Sequence, residues 1–147
     1  MSIMKSAQTV YYGPNISTYE IVGSVSAYES VTVKFREGNW YHIEYNVTGT
    51  STKKRGYVPV SSVTLQETVG TYVDRDTNPL KCTVRTGGTT YTGPDPAVHV
   101  AAGSVSAGET IYDLGYYEEE CAFIRYTVTS TGKYKRAYFK YNNISYN

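Results

Sequence analysis

Trp40-Tyr41-His42-Ile43-Glu44-Tyr45-Asn46-Val47 alternates along its length. Tyr41, Ile43, Tyr45 and Val47 fall on one side, and Trp40, His42, Glu44 and Asn46 on the other. A period of two marks a strand with one face on a core. The pattern returns as Cys121-Ala122-Phe123-Ile124-Arg125-Tyr126-Thr127-Val128. The side that keeps its apolar character in both, Ile43 and Tyr45 with Ile124 and Tyr126, is the predicted core face. Trp40 is then expected off that face, unless a bulge tucks it inward.

Working outward, the second stretch is one block of a longer repeat. Thr9-Val10-Tyr11-Tyr12-Gly13-Pro14 returns as Thr89-Thr90-Tyr91-Thr92-Gly93-Pro94, 80 positions later, and Val22-Gly23-Ser24-Val25-Ser26-Ala27-Tyr28-Glu29 returns as Ala102-Gly103-Ser104-Val105-Ser106-Ala107-Gly108-Glu109 at the same spacing. Beyond residue 120 the spacing is 81: Lys54-Arg55-Gly56-Tyr57 returns as Lys135-Arg136-Ala137-Tyr138. One inserted residue explains the change, and it is expected in a loop at 115–120. The chain of 147 residues therefore reads as two small units. Domains of this size bury only about 60% of their unfolded surface and need compact folds. The expected boundaries are 1–66 for the first unit, 67–88 for a connector and 89–147 for the second. The connector is either ordered and packed on one unit or a loose tether.

Strands dominate the remaining pattern, and no window repeats apolar residues at helical spacing. Val31-Thr32-Val33-Lys34-Phe35 and Ile111-Tyr112-Asp113-Leu114 precede the alternating strands, and Glu37-Gly38-Asn39 is a turn signal between them in the first copy. Thr48-Gly49-Thr50-Ser51-Thr52 reads as a hairpin loop with a return strand at Lys54-Arg55-Gly56-Tyr57-Val58. Gly56 and Ala137, both small, predict the close approach of another backbone. Residues 68–73 and 80–85 alternate enough for short strands. Each unit is expected to hold five or six strands with turns every 8–12 residues, the pattern of a small barrel. The predicted fold class is all-β, two tandem small barrels.

Composition narrows the function classes. The net charge is +1, and no sustained basic face points to nucleic acid. No apolar stretch approaches a membrane span, and the N-terminal residues lack an apolar core of signal-peptide length. Seventeen Tyr against three Phe and one Trp exceed what two small cores can hold, which favours half-wet surfaces. Cys82 and Cys121 have no cysteine counterparts in the first copy, so free thiols are expected. A nucleophilic Cys–His pair with His42 or His99 needs a lowered thiol pKa, and no helix is available to seat one. Neither His has neighbours at metal-ligand spacing. No catalysis, cofactor or metal is expected. The acidic run Glu118-Glu119-Glu120 reads as a solvated loop tip.

The order Gly13-Pro14, Gly23-Ser24-Val25-Ser26, Glu29, Val31-Thr32-Val33, Gly38-Asn39-Trp40-Tyr41-His42-Ile43-Glu44-Tyr45-Asn46 and Gly56-Tyr57-Val58-Pro59 resembles the bacterial SH3 domain (SH3b). The likeness covers 9–63 well and 89–144 less well. Tandem copies of this kind are similar to the wall-binding regions of clostridial phage endolysins and autolysins. The first copy departs at Val10-Tyr11-Tyr12, where the family usually has Asn-Val-Arg. The second lacks the Trp and has Ala137 in place of Gly. The resemblance implies SH3-like barrels and a noncatalytic module that targets a peptidoglycan hydrolase to the wall. It also implies a partner in peptidoglycan or an associated wall polymer, a catalytic domain in cis in the full-length protein, and a location at the bacterial wall after release or secretion. Nucleic acid and membrane are not expected partners. The rival expectation is an adaptor whose aromatic groove takes extended or Pro-rich peptides.

Aromatic side chains supply contact area against sugar rings or short peptide stems at low entropic cost. Trp40 leads the candidates. Tyr11 and Tyr12 flank Gly13-Pro14, with Tyr91 matching Tyr11 in the second copy, and the resemblance places the groove beside this loop. Tyr57 and Tyr138 are expected to face outward by alternation. Each of these has a structural alternative as a packing residue. Tyr28, Tyr112, Tyr116 and Tyr117 are weaker candidates. Lys53, Lys54 and Arg55, with Lys133, Lys135 and Arg136, either meet wall carboxylates or phosphates or form solvated strand ends. Two weak sites on a repeating polymer would gain through effective concentration.

Overall fold

The structure, a computed structural model, describes residues 1–70 and 79–146. The chain forms two compact units, Met1–Val73 and Asp74–Asn147. In the first unit the strands are β1 (Ser2–Met4), β2 (Gln8–Tyr11), β3 (Ile21–Val25), β4 (Ser30–Glu37), β5 (Trp40–Asn46), β6 (Lys53–Pro59) and β7 (Val63–Thr64). In the second they are β8 (Leu80–Val84), β9 (Gly88–Tyr91), β10 (Ala101–Val105), β11 (Thr110–Glu118), β12 (Cys121–Thr127), β13 (Tyr134–Lys140) and β14 (Ile144–Ser145). A short 3-10 turn precedes the last strand of each unit, Val60–Ser62 and Tyr141–Asn143. No helix among the described residues is long and apolar enough to cross a membrane.

The duplication read from sequence is a duplication of topology. The first sheet runs β3-β2-β6-β5-β4-β1-β7 and the second β10-β9-β13-β12-β11-β8-β14, all antiparallel. Each strand has its counterpart seven places on. The all-β expectation holds. The strand count is seven per unit rather than five or six, and among the described residues the two end strands of each order are not paired with each other. The additional strands are short: β1 pairs with β4 and β7, and β8 pairs with β11 and β14.

Residues 67–88, expected as a connector, divide between the units. Glu67 accepts hydrogen bonds from Ser2 Oγ at 2.7 Å and from the Val33 amide at 3.0 Å in the first unit. Leu80–Val84 is an interior strand of the second sheet, so the second unit takes in these residues instead of starting at 89. The expected strand at 68–73 has no strand over 68–70, and its remainder lies outside the described residues. Cys82, placed by the sequence in the connector, stands in β8 where Ser2 stands in β1.

The inserted residue is not in a loop. Between the pairs Val33↔Ile43 and Arg36↔Tyr41, β4 runs one residue longer than β5. Between Asp113↔Ile124 and Tyr117↔Ala122, β11 runs two residues longer than β12. The insertion therefore enlarges a bulge already present in the first copy, and Gly115 takes a left-handed φ of 79° there.

The core face of β5 is as expected: Tyr41, Ile43 and Tyr45 are buried, as are Ala122, Ile124 and Tyr126 in β12. The opposite face is also covered at mid-strand. His42 stacks on Phe35 with ring centroids 4.7 Å apart and lies 4.7 Å from the Tyr57 ring. Phe123, Tyr116 and Tyr138 form the matching cluster. The close approach predicted at Gly56 is real: a Cβ there would stand 2.9 Å from the Tyr11 carbonyl oxygen and overlap Val10 Cγ1. Gly13 and Gly93 are covered by the rings of Tyr19 and His99, which occupy equivalent positions and leave no room for a side chain.

Candidate functional site

Hydrogen bonding along β2 and β5 brings two expected residues together. Tyr11 ends β2 opposite Tyr57, and Trp40 opens β5 opposite Pro59. Their rings meet edge to face, with centroids 6.3 Å apart and planes at 83°. Both residues are half-buried, so each keeps part of its ring in solvent. The arrangement is favourable for an aromatic pair and leaves a rigid apolar corner.

The second unit builds the same place differently. Tyr91 pairs with Tyr138 as Tyr11 does with Tyr57, but Cys121 stands at the Trp40 position. With the indole gone, Tyr91, Pro96, Cys121, Phe139, Lys140 and Asn143 line an open cleft of about 320 Å³. Apolar walls carry one ammonium and one amide at the rim, a composition suited to a small amphipathic ligand. The Cys121 thiol is buried and lies 3.6 Å from the Pro94 carbonyl oxygen. Burial pushes its pKa up, and the nearby Lys140 ammonium does not reverse this. Burial, helped by the Asp113 charge, also raises the Cys82 thiol. Both cysteines are free and poorly disposed to act as thiolates.

Three of the six expected site residues are packing residues in the structure. Tyr57 is 0% exposed and Tyr138 1% exposed. Alternation puts both on the face opposite Val58 and Phe139, but that face is roofed by Phe35 and His42 in one unit and by Tyr116 and Phe123 in the other. The Tyr57 hydroxyl donates to Glu37 Oε1 at 3.2 Å. Tyr138 still touches the floor of the cleft. Tyr12 is also buried, at 7% exposure. Tyr11, Trp40 and Tyr91 remain at the surface.

The expected cations are mostly internal struts. Arg55 is buried and bonds Glu44 at 2.9 Å, with Lys53 3.7 Å from the same carboxylate. Lys54 Nζ donates to the Val22 carbonyl at 3.1 Å, and its counterpart Lys135 donates to the Ala102 carbonyl at 2.5 Å. Arg136 is buried, whereas Lys133 is exposed. Of the weaker candidates, Tyr28 is exposed at a left-handed φ of 66°, and Tyr112 stacks under the Arg125 guanidinium at 4.7 Å. His42 and His99 are buried, and among the described residues no three His, Cys, Asp or Glu side chains gather as a metal site would.

One cluster escaped the sequence reading. Asp113 is 2% exposed. Its Oδ2 accepts from the Tyr117 hydroxyl at 2.6 Å and the Tyr146 hydroxyl at 2.8 Å, and its Oδ1 from the Gly115 amide at 2.7 Å. The signal available was an acid at the position of the core residue Val33, four residues before a Tyr that replaces Arg36. The chain matches no protein-family model and no curated protein sequence.

Proposed function

We propose that the chain is a noncatalytic cell-wall-binding module, with each sheet curled into an SH3-like barrel and each unit offering an aromatic site to peptidoglycan or an associated wall polymer. In the full-length protein it would carry a peptidoglycan hydrolase to the wall. The observation that carries this reading is the half-exposed Tyr11–Trp40 corner, set beside Gly13-Pro14 where the resemblance to SH3b domains puts a ligand groove. The duplication supports it as well, because two weak sites on a repeating polymer reinforce each other.

The test is sedimentation of the purified 147-residue chain with purified bacterial walls, with and without their secondary polymers. Binding that drops on Tyr11→Ala and Trp40→Ala, with folding retained, supports the reading. Capture by extended Pro-rich peptides instead of walls replaces it with the adaptor function, and released sugar or peptide fragments replace it with an enzyme.

A further inference from the structure

The second unit has gained aromatic rings at three positions that are aliphatic or basic in the first. Val33, Arg36, Val60 and Leu65 of the first unit correspond to Asp113, Tyr117, Tyr141 and Tyr146 of the second. These changes, together with the inserted bulge residue, converge on one spot. Leu80, Tyr117, Tyr141 and Tyr146 line an open, mainly apolar depression of about 470 Å³. All four are exposed, at 51%, 54%, 42% and 42%. Four large apolar side chains gathered in solvent call for a partner.

The chemistry beneath selects the partner. Asp113 is buried under this depression and holds two of the rings by their hydroxyls, both on the same carboxylate oxygen. Among the described residues no Lys, Arg or His forms an ion pair with it. Among the described residues its carboxylate is therefore met by hydrogen-bond donors and not by a cation. Tyrosines that donate to a carboxylate become richer in ring electron density, and ring faces attract cations. The carboxylate already accepts three hydrogen bonds and is closed to solvent, so it can add field but little direct coordination. A primary ammonium is a compact, strongly hydrated charge, and the four lining side chains offer it no carboxylate to replace that water. A quaternary ammonium needs none, since its charge is spread over methyl groups that pack on apolar rings.

We propose that the Leu80, Tyr117, Tyr141 and Tyr146 depression is a binding site for a quaternary ammonium group, oriented by Asp113. It is separate from the Tyr91 and Cys121 cleft and stands whether or not the chain binds walls.

The experiment titrates the full chain with choline and, in parallel, with 3,3-dimethyl-1-butanol, its neutral isostere, and with n-butylammonium, following amide and tyrosine ring resonances by NMR. Choline should shift the resonances of Leu80, Tyr117, Tyr141 and Tyr146, with at least about tenfold preference over the neutral isostere. Tyr141→Ala removes an exposed ring without touching Asp113 and should abolish the response. Asp113→Asn, which keeps a hydroxyl acceptor, should weaken choline about fivefold or more. If that variant unfolds, Tyr141→Ala and the neutral isostere decide the matter. Equal response to the neutral isostere, binding unaffected by Tyr141→Ala, or no shift at these residues by about 50 mM choline overturns the proposal. Butylammonium bound as tightly as choline overturns the quaternary class.

Discussion

The Tyr126 hydroxyl lies 2.8 Å from Thr90 Oγ1, and both side chains are buried. The same position in the first unit is occupied by Val10, and the hydroxyl of Tyr45, counterpart of Tyr126, is buried with no hydrogen-bond partner among the described residues. The copies thus contain one satisfied and one orphaned phenol in the same setting. A buried polar group left unpaired costs about 1–3 kcal/mol, whereas a made hydrogen bond nets about 1 kcal/mol. Tyr45→Phe is therefore expected to leave the first unit as stable as before or more so. Tyr126→Phe, which strands Thr90, should destabilise the second unit by about 1 kcal/mol or more. Denaturant unfolding of the full chain, followed by NMR probes in each unit, separates the two effects.

Alkaline pH should act on the same phenols. Burial first, then the Glu109 charge, raises the Tyr126 pKa to about 12, against the hydrogen bond from Thr90, which lowers it. Burial, with the bond to Asp113 next, also brings Tyr117 to about 12. Both values exceed the unfolded pKa of about 10. A raised pKa means that the folded state favours the protonated phenol. The stability tied to it is whole below pH about 10 and is lost as pH climbs through about 12. Unfolding free energy of the second unit should decline across that window, with a shallower slope in Tyr126→Phe. Tyrosinate absorbance recorded alongside unfolding checks this, and a slope unchanged by the substitution contradicts it.

What the sequence could reveal followed from what each signal encodes. Ile43 and Ile124 announced the core face, because alternation and repetition agree there. Tyr57 and Tyr138 misled, because alternation tells which side a residue takes but not whether that side is roofed. Phe35 and His42 supply the roof, and a β4 bulge that shifts the register between Val33 and Phe35 is invisible without the pairing. Ser2 and Cys82 share a position, yet their flanking residues have little in common, so the sequence of β8 reads as part of a connector. The spacing change from 80 to 81 showed that a residue had been inserted but not that Gly115 carries it inside a strand. Tyr11 and Trp40 were legible as candidates, and their contact needed β2 and β5 brought together through β6.

Gly56 offers a stability test in the shared framework. An added Cβ would overlap Val10 Cγ1 and press on the Tyr11 carbonyl, which belongs to backbone and cannot swing aside. The second unit buries Ala137 at this position, where Thr90 and the smaller Ala102 stand in place of Val10 and Val22. Gly56→Ala is expected to cost about 1–3 kcal/mol through overpacking. Ala137→Gly should cost about 1 kcal/mol through lost packing and added chain entropy. Thermal unfolding of each variant measures both, and a Gly56→Ala chain as stable as the parent would show that the first unit can make room for the methyl group.

The replacement of Trp40 by Cys121 supplies the sharpest test of what the duplication does. Cys121 faces a cleft of about 320 Å³ whose back wall includes Tyr91 and Phe139. The first unit seats an indole at the same register position against Tyr11. Cys121→Trp should therefore fold, place its indole edge-on to Tyr91 and fill the cleft. If the Tyr–Trp corner is the wall-binding element, the variant carries two such corners, and wall retention should rise about tenfold or more through effective concentration. If instead the open cleft is what binds in the second unit, filling it should lower retention. Trp40→Ala combined with Cys121→Trp distinguishes the cases: recovery of binding relative to Trp40→Ala alone assigns the function to the corner, and further loss assigns it to the cleft. Tryptophan fluorescence on adding walls reports directly whether the new indole meets the polymer.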